Sequence, residues 1–197
     1  MASQLFLRVL TASELQNDDV LVPALELINA SYKEREAEGL LDRYSSPEVF
    51  LQDIGTDGLC AIVQDREKNN LPGAVAVAKQ WKGQRDQSMS RTDGRDWEIG
   101  PAASRNLPQY RQKGLIERCL QSLSVRLLDQ AGDGTVRLWV MVVEELYSTY
   151  WARRGFEQYG SSYVVPVGEW HRDRSYTLID MKKEISRERD SVSGAGL

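Results

Sequence analysis

The apolar positions of this chain fall into short runs that switch between a period of two and a period near 3.6. "LFLRVL" (5–10) reads as a strand. The segment 18–39 then carries apolar residues at helical spacing through Leu21, Leu25, Ile28 and Ala30. It sits behind an acidic first turn that complements the helix dipole, and Gly39 is its natural stop. A second short helix is expected over 46–55, with Ser46 as N-cap, Pro47 in the first helical position and Gly55 at its end. "GLCAIVQD" (58–65) and "PGAVAVAKQW" (72–81) are apolar runs around the polar "REKNNL", the pattern of an antiparallel pair. The stretch 82–96 has no periodicity and is rich in Gly, Ser, Asp and Arg, which predicts an exposed loop. "WEIGPAAS" (97–104) follows as a strand, with Gly100-Pro101 marking a bulge or kink inside it.

Residues 113–130 hold the clearest helix, with Leu115, Ile116, Cys119, Leu120, Leu123, Leu127 and Leu128 on one face and "GDG" after it. "TVRLWVMVV" (135–143) is almost uniformly apolar, as in a strand covered on both faces. A helix over 144–156 closes at Gly155. Residues 157–167 and 174–185 read as a final hairpin, and the polar tail 186–197 is expected to be disordered. The order β-α-α-β-β-β-α-β-α-β-β predicts an α+β fold, a single domain over 1–185 with helices on the faces of one central sheet. There is no internal repeat and no linker that would split it.

Composition narrows the function classes. With 197 residues, 41% hydrophobic and 27% charged, the chain is sized and mixed like one globular domain. A net charge of −4 argues against a general binder of nucleic acid or anionic membrane. The two cysteines, Cys60 and Cys119, lie in apolar settings and read as buried thiols. His171 is the only histidine, which disfavours a zinc site or a Ser-His-Asp triad. "MASQLFLRVL" lacks the long apolar run of a signal peptide or anchor, so a cytoplasmic location is expected, with a nuclear one equally open.

Candidate chemistry concentrates in "PQYRQKGLIERCL" (108–120). Pro108 breaks the strand and a helix opens near Gln112. The first amides of a helix have no internal partner, Gly114 lets a ligand approach the backbone, and Arg111 and Lys113 add positive charge. These features suit a diphosphate. They equally suit a solvated basic loop before an ordinary helix.

"PQYRQKGLI" closely resembles the P-x-Y-R-x-K-G-x-G signature of the GNAT superfamily of acyl-CoA-dependent N-acyltransferases. "YWARRGF" (150–156) is similar to that family's second signature, and "LIDMKKEI" to its last strand. The match covers roughly residues 5 to 185. The resemblance implies a mostly antiparallel sheet with a splayed strand pair, here "WEIGPAAS" and "TVRLWVMVV", and acetyl-CoA as cosubstrate between them. It implies that backbone groups of Ala102, Ala103 and Ser104 hold the pantetheine arm, and that the turn of Arg111, Gln112, Lys113, Gly114, Leu115 and Ile116 holds the pyrophosphate. A primary amine would then attack the thioester directly. Glu98 is the candidate general base; the other reading is a rim carboxylate paired to Arg95 or Arg105. The family's tyrosine acid falls on Trp151, so Tyr147, one turn earlier on the same face, Tyr150 or water would protonate the thiolate, or these aromatics would only pack in the core.

Three departures from the family pattern stand out. Ile116 replaces a small residue, "SRNLP" adds about two residues between strand and turn, and Glu144 stands near an asparagine position. The acceptor side would come from 31–46 and 167–174, where acids, Trp170 and His171 suit a cationic amine, either a small molecule or a protein amine. A homodimer is compatible with this reading. The alternative is a catalytically inactive GNAT-like acyl-CoA-binding protein.

Overall fold

Alternate strand positions send their apolar side chains to two cores, one on each face of a single sheet. On β2 (Leu59–Asp65), Leu59, Ala61 and Val63 join one core while Cys60 and Ile62 join the other. On β3 (Leu71–Gln80), Ala74, Ala76 and Ala78 face the first core, and Val75 and Val77 the second. The first face is covered by α4 (Leu115–Ala131), which inserts Leu115, Cys119, Leu123 and Leu127 at helical spacing. The second is covered by α2 (Leu21–Arg35) and α3 (Pro47–Ile54), through residues such as Leu25, Ile28, Phe50 and Ile54. The computed structural model describes residues 4–35, 42–83, 93–132, 134–167 and 175–187. The expectations for Gly39, most of the 82–96 loop, Trp170, His171 and nearly all of the tail lie outside the described residues.

Seven strands form the sheet in the order β1-β2-β3-β4-β5-β7-β6. The remaining strands are β1 (Leu5–Thr11), β4 (Asp96–Ser104), β5 (Val136–Val143), β6 (Glu157–Val165) and β7 (Tyr176–Ile185). Every neighbouring pair is antiparallel except β4–β5. No helix among the described residues is long and apolar enough to cross a membrane.

The element order matches the sequence reading apart from short helical pieces. Helix α1 (Ala12–Gln16) is too short to show a period; a capping box makes it, with the Thr11 hydroxyl accepting the Glu14 amide and Glu14 reaching back to the Thr11 amide. The acidic turn expected to open α2 lies in front of it instead. The Asp18 carboxylate accepts the Val20 amide and pairs with Arg8, so the helix starts at Leu21. Ser46 and Pro47 open α3 as predicted. Helix α5 (Glu144–Ala152) ends before Gly155, which turns the chain at φ 79°. Both cysteines are buried, and burial pushes the Cys119 thiol up to about 12 and Cys60 higher still.

A buried ionic clamp joins β4 to β5. Arg137 donates from Nε and Nη2 to the two Asp96 carboxylate oxygens, both at 2.7 Å, and from Nη2 to Asp93 at 2.6 Å. Trp139 Nε1 donates to the same Asp96 at 2.7 Å, and its ring stacks on Trp81 with centroids 4.0 Å apart. Two parallel N–H···O bonds to one carboxylate fix orientation as well as distance. Only three residue pairs, Asp96–Arg137, Trp97–Leu138 and Glu98–Trp139, are in register beside this clamp.

Tyr110 makes a second anchor, between strand and helix. Its ring is buried and its hydroxyl donates to Asp65 at 3.1 Å. A Cβ built on Gly73 would lie 2.9 Å from that ring, so the close approach depends on glycine.

Two stability predictions rest on these anchors, and a third, on an exposed ion pair, gives the contrast. Asp96→Ala leaves the Arg137 charge buried beside fewer partners and should cost about 3 kcal/mol in urea unfolding. Asp42→Asn, which breaks the exposed Lys33–Asp42 pair, should cost less than about 1 kcal/mol. Gly73→Ala should displace Tyr110 and cost about 1–3 kcal/mol, with a matching drop in Tm by calorimetry.

Candidate functional site

Beyond Glu98 and Trp139 the parallel pair comes apart. Strand β4 continues alongside β3 as far as Ser104, and β5 alongside β7 as far as Val143, but no further β4–β5 pair forms. The register of β3 against β4 shifts between Ala76 and Ala78, opposite Gly100-Pro101, where the kink was expected. The splayed strand pair is therefore present, and among the described residues no strand pairs with that edge of β4 from Ile99 onward. Ala102 packs toward the first core and Ala103 is buried in the second, while the Ser104 carbonyl accepts the Ser31 hydroxyl at 3.4 Å.

The chain leaves this edge through a wound turn. The Arg105 amide still donates to the Gly73 carbonyl, and beyond the strand the Leu107 carbonyl accepts from the amides of both Tyr110 and Arg111. Gln112 and Gly114 have positive φ, 55° and 62°, on either side of Lys113. Such alternation turns successive N–H groups toward one side. Gly114 is the N-cap of α4 without a side-chain cap, and the first helical bond runs from the Arg118 amide to the Gly114 carbonyl. The amides of Leu115, Ile116 and Glu117 precede that bond and are the helix's free donors. A Cβ at Gly114 would meet nothing within 4 Å, which leaves room at the turn for an anion. Arg111, Gln112 and Lys113 are exposed there, with Arg111 also donating to Asn106 at 2.6 Å. The Ile116 side chain packs against the core, so its bulk does not crowd the turn.

Glu98 occupies the last paired position, at 8% exposure. It faces neither Arg95 nor Arg105. Arg95 lies against Gly134, and Arg105 donates to the Pro72 carbonyl at 3.1 Å. Its partner across the β3–β4 register is Lys79, whose ammonium is 3.7 Å from Oε1. Lys79 donates at 2.8 and 2.9 Å to the two oxygens of Asp53 on α3. The Tyr44 hydroxyl donates to the same Asp53 at 2.6 Å, and the Tyr44 backbone is held at both its N–H and C=O by Asn29 of α2. Burial pushes Glu98 above the usual carboxylate range; the Lys79 charge pulls against this and Asp53 adds to it. Burial also pushes Asp53 up, but hydrogen bonds from Lys79 and Tyr44 outweigh it and hold this carboxyl below its usual range. A buried carboxylate with raised proton affinity suits a general base near neutrality.

The aromatics of α5 separate into two environments. Trp151 is buried edge-on against Phe156. Tyr150 lies under the Arg154 guanidinium, 3.6 Å from its ring centre. Tyr147 is half-buried and packs against both the first core and the small cluster of Val143, Val165, Tyr176 and Leu178. That places Tyr147 where the two faces of the sheet meet, just past the end of β5.

Lys79, Asp53 and Tyr44 were not singled out from the sequence. Lys79 left a signal: it continues the inward phase of Val75 and Val77 on an otherwise apolar strand. Asp53 and Tyr44 gave none, because only the packing of α3 on β3 brings them to Glu98.

No family model matches the sequence, and no curated protein matches it. Solved structures do. An acetyltransferase of the GNAT family from Streptococcus pneumoniae superposes with a TM-score of 0.61 at 13% identity, covering 92% of this chain and 100% of that one. YncA from Salmonella typhimurium, solved with its cofactor acetyl-CoA, gives 0.58 at 15% identity over 98% and 99%. An N-acetyltransferase from Staphylococcus aureus gives 0.59 at 10% identity over 92% and 98%. At such identities the likeness is one of fold, and it runs through nearly the whole of each chain: this protein has the GNAT fold.

Proposed function

We propose that the chain is an N-acetyltransferase that moves an acetyl group from acetyl-CoA to a primary amine, the two substrates bound together. The observation that carries this reading is the parting of β4 from β5 immediately beyond buried Glu98, with the uncapped start of α4 at the end of the same strand's turn. Acetyl-CoA would supply the acyl group already activated as a thioester. The turn Arg111–Gln112–Lys113–Gly114–Leu115–Ile116 would hold its diphosphate through backbone amides and two cations. The free edge at Ala102, Ala103 and Ser104 would hold the pantetheine amides in the manner of an added strand. An amine is protonated near neutral pH and cannot attack in that state. Glu98 removes its proton, and its raised proton affinity matches that task. Tyr147 supplies a proton to the leaving sulfur; Tyr150, engaged with Arg154, is the second candidate. Trp151 at the family's tyrosine position is what supports the other reading, an acyl-CoA-binding protein without catalysis.

Calorimetry with CoA tests the binding half. Gly114→Asp should weaken CoA binding by more than about tenfold, whereas Ile116→Ala should change it by less than about threefold. Equal effects would remove the turn as the diphosphate site. An amine panel read by thiol release tests the chemical half. Glu98→Gln should bind CoA like the parent and lower kcat by about 10²–10⁴. In the parent, kcat/KM should rise with pH through a value above the ordinary carboxylate range, and the variant should lose that limb. Full activity in Glu98→Gln would exclude it as the base. CoA binding without turnover of any amine would leave the non-catalytic reading.

A further inference from the structure

The turn before α4 is held from a strand outside it. Arg111, Gln112, Lys113 and Gly114 are exposed, while the residues on either side, Tyr110 and Leu115, are buried. Both of these meet at Gly73 of β3. A Cβ built there would lie 2.9 and 3.1 Å from two carbons of the Tyr110 ring and 3.5 Å from Leu115 Cδ1. The two ring distances are shorter than carbon atoms prefer, so the absent side chain is the seat of the ring. The far end of the ring is fixed as well. The Tyr110 hydroxyl donates to Asp65 Oδ2 at 3.1 Å, and Asp65 Oδ1 accepts the Glu67 amide at 3.1 Å, which ties that carboxylate to the end of β2. The four exposed residues thus form a short bridge whose two ends meet at one point of the sheet. Closing so short a loop leaves few backbone arrangements. This one uses two left-handed residues, of which Gln112, at φ 55°, is not glycine. A left-handed glutamine persists where its surroundings over-determine it.

We propose that Gly73 and Asp65 are positioning residues for the diphosphate turn. Acting through Tyr110, they set its amides in the ligand-holding arrangement before any ligand arrives. This rests on the reading of the turn as the diphosphate site. A flexible turn would lose backbone freedom on binding, whereas a preset turn has lost it on folding and binds more tightly for the same contacts. Gly73 and the Tyr110 ring carry no charge, so substituting them alters the shape of the turn and leaves Arg111 and Lys113 as they are.

Backbone amide relaxation of the free protein, read by NMR, is the first test. Residues 111–114 should be nearly as rigid as the strands, with order parameters near about 0.8, and Gly73→Ala should lower them to about 0.6 or less. The second test is titration with CoA and with pantetheine, the same arm without the nucleotide and its phosphates. Gly73→Ala should weaken CoA by about fivefold or more at unchanged stoichiometry, and pantetheine by less than about twofold. A merely destabilised fold would instead lower the stoichiometry and affect both ligands alike. Tyr110→Leu alone should weaken CoA as much. Gly73→Ala added to it should change little more, because the new methyl then has no ring to displace. A mobile turn in the parent, equal losses with both ligands, or additive effects of the two substitutions would overturn the proposal. Should Gly73→Ala fail to fold, Tyr110→Phe carries the test. It keeps the ring, removes the bond to Asp65 and should weaken CoA by about threefold, and an unchanged affinity would overturn the proposal. If the turn softens as expected and CoA binds as before, the positioning stands and the assignment of the turn as the diphosphate site falls.

Discussion

The fork from Arg137 onto Asp96 is the constraint on which the rest of the site depends. Two parallel strands with different neighbours, β3 on one side and β7 on the other, have no inherent reason to separate at a particular residue. The clamp holds them at their N-terminal ends, and the kink at Gly100-Pro101 sends β4 away beyond it. A buried ion pair is a costly device compared with apolar packing, because both groups give up hydration. Its return here is directional. It fixes which residues sit at the vertex, and Glu98 is the last of them on β4.

From that vertex the two halves of the site are reached along one strand. Glu98 and the turn before α4 belong to the same continuous segment, so their separation is set by β4 and by the anchoring of Tyr110 under Gly73. The proposed base and the proposed diphosphate turn are therefore mechanically linked. Lys79, by contrast, comes from β3, and Asp53 from a helix on the second face. The environment of the carboxylate is thus adjustable by packing that does not touch the turn.

Much of the fold was legible in the sequence, because burial on a sheet and on a helix writes two distinct periods. Ser46, Pro47 and Gly155 marked ends that the structure keeps at or near those residues. Asp18 shows the limit: an acidic residue before a helix can belong to the helix or cap it from outside, and only its bond to Arg8 and Val20 decides. The site was partly legible. The candidate turn could be marked from local pattern, and Glu98 was singled out through the family resemblance. The partner of Glu98 could not, since Arg95 and Arg105 are nearer along the chain and Lys79 is nearer in space only through the strand register. The left-handed backbone at Gln112 was equally silent, because glutamine carries no preference for it.

Cys60 and Cys119 lie in the cores on opposite faces of the sheet, and both thiols are held protonated by burial. The folded protein is accordingly quiet toward reagents that consume thiolates. A thiol-release assay would therefore read little background from the folded chain's own two thiols.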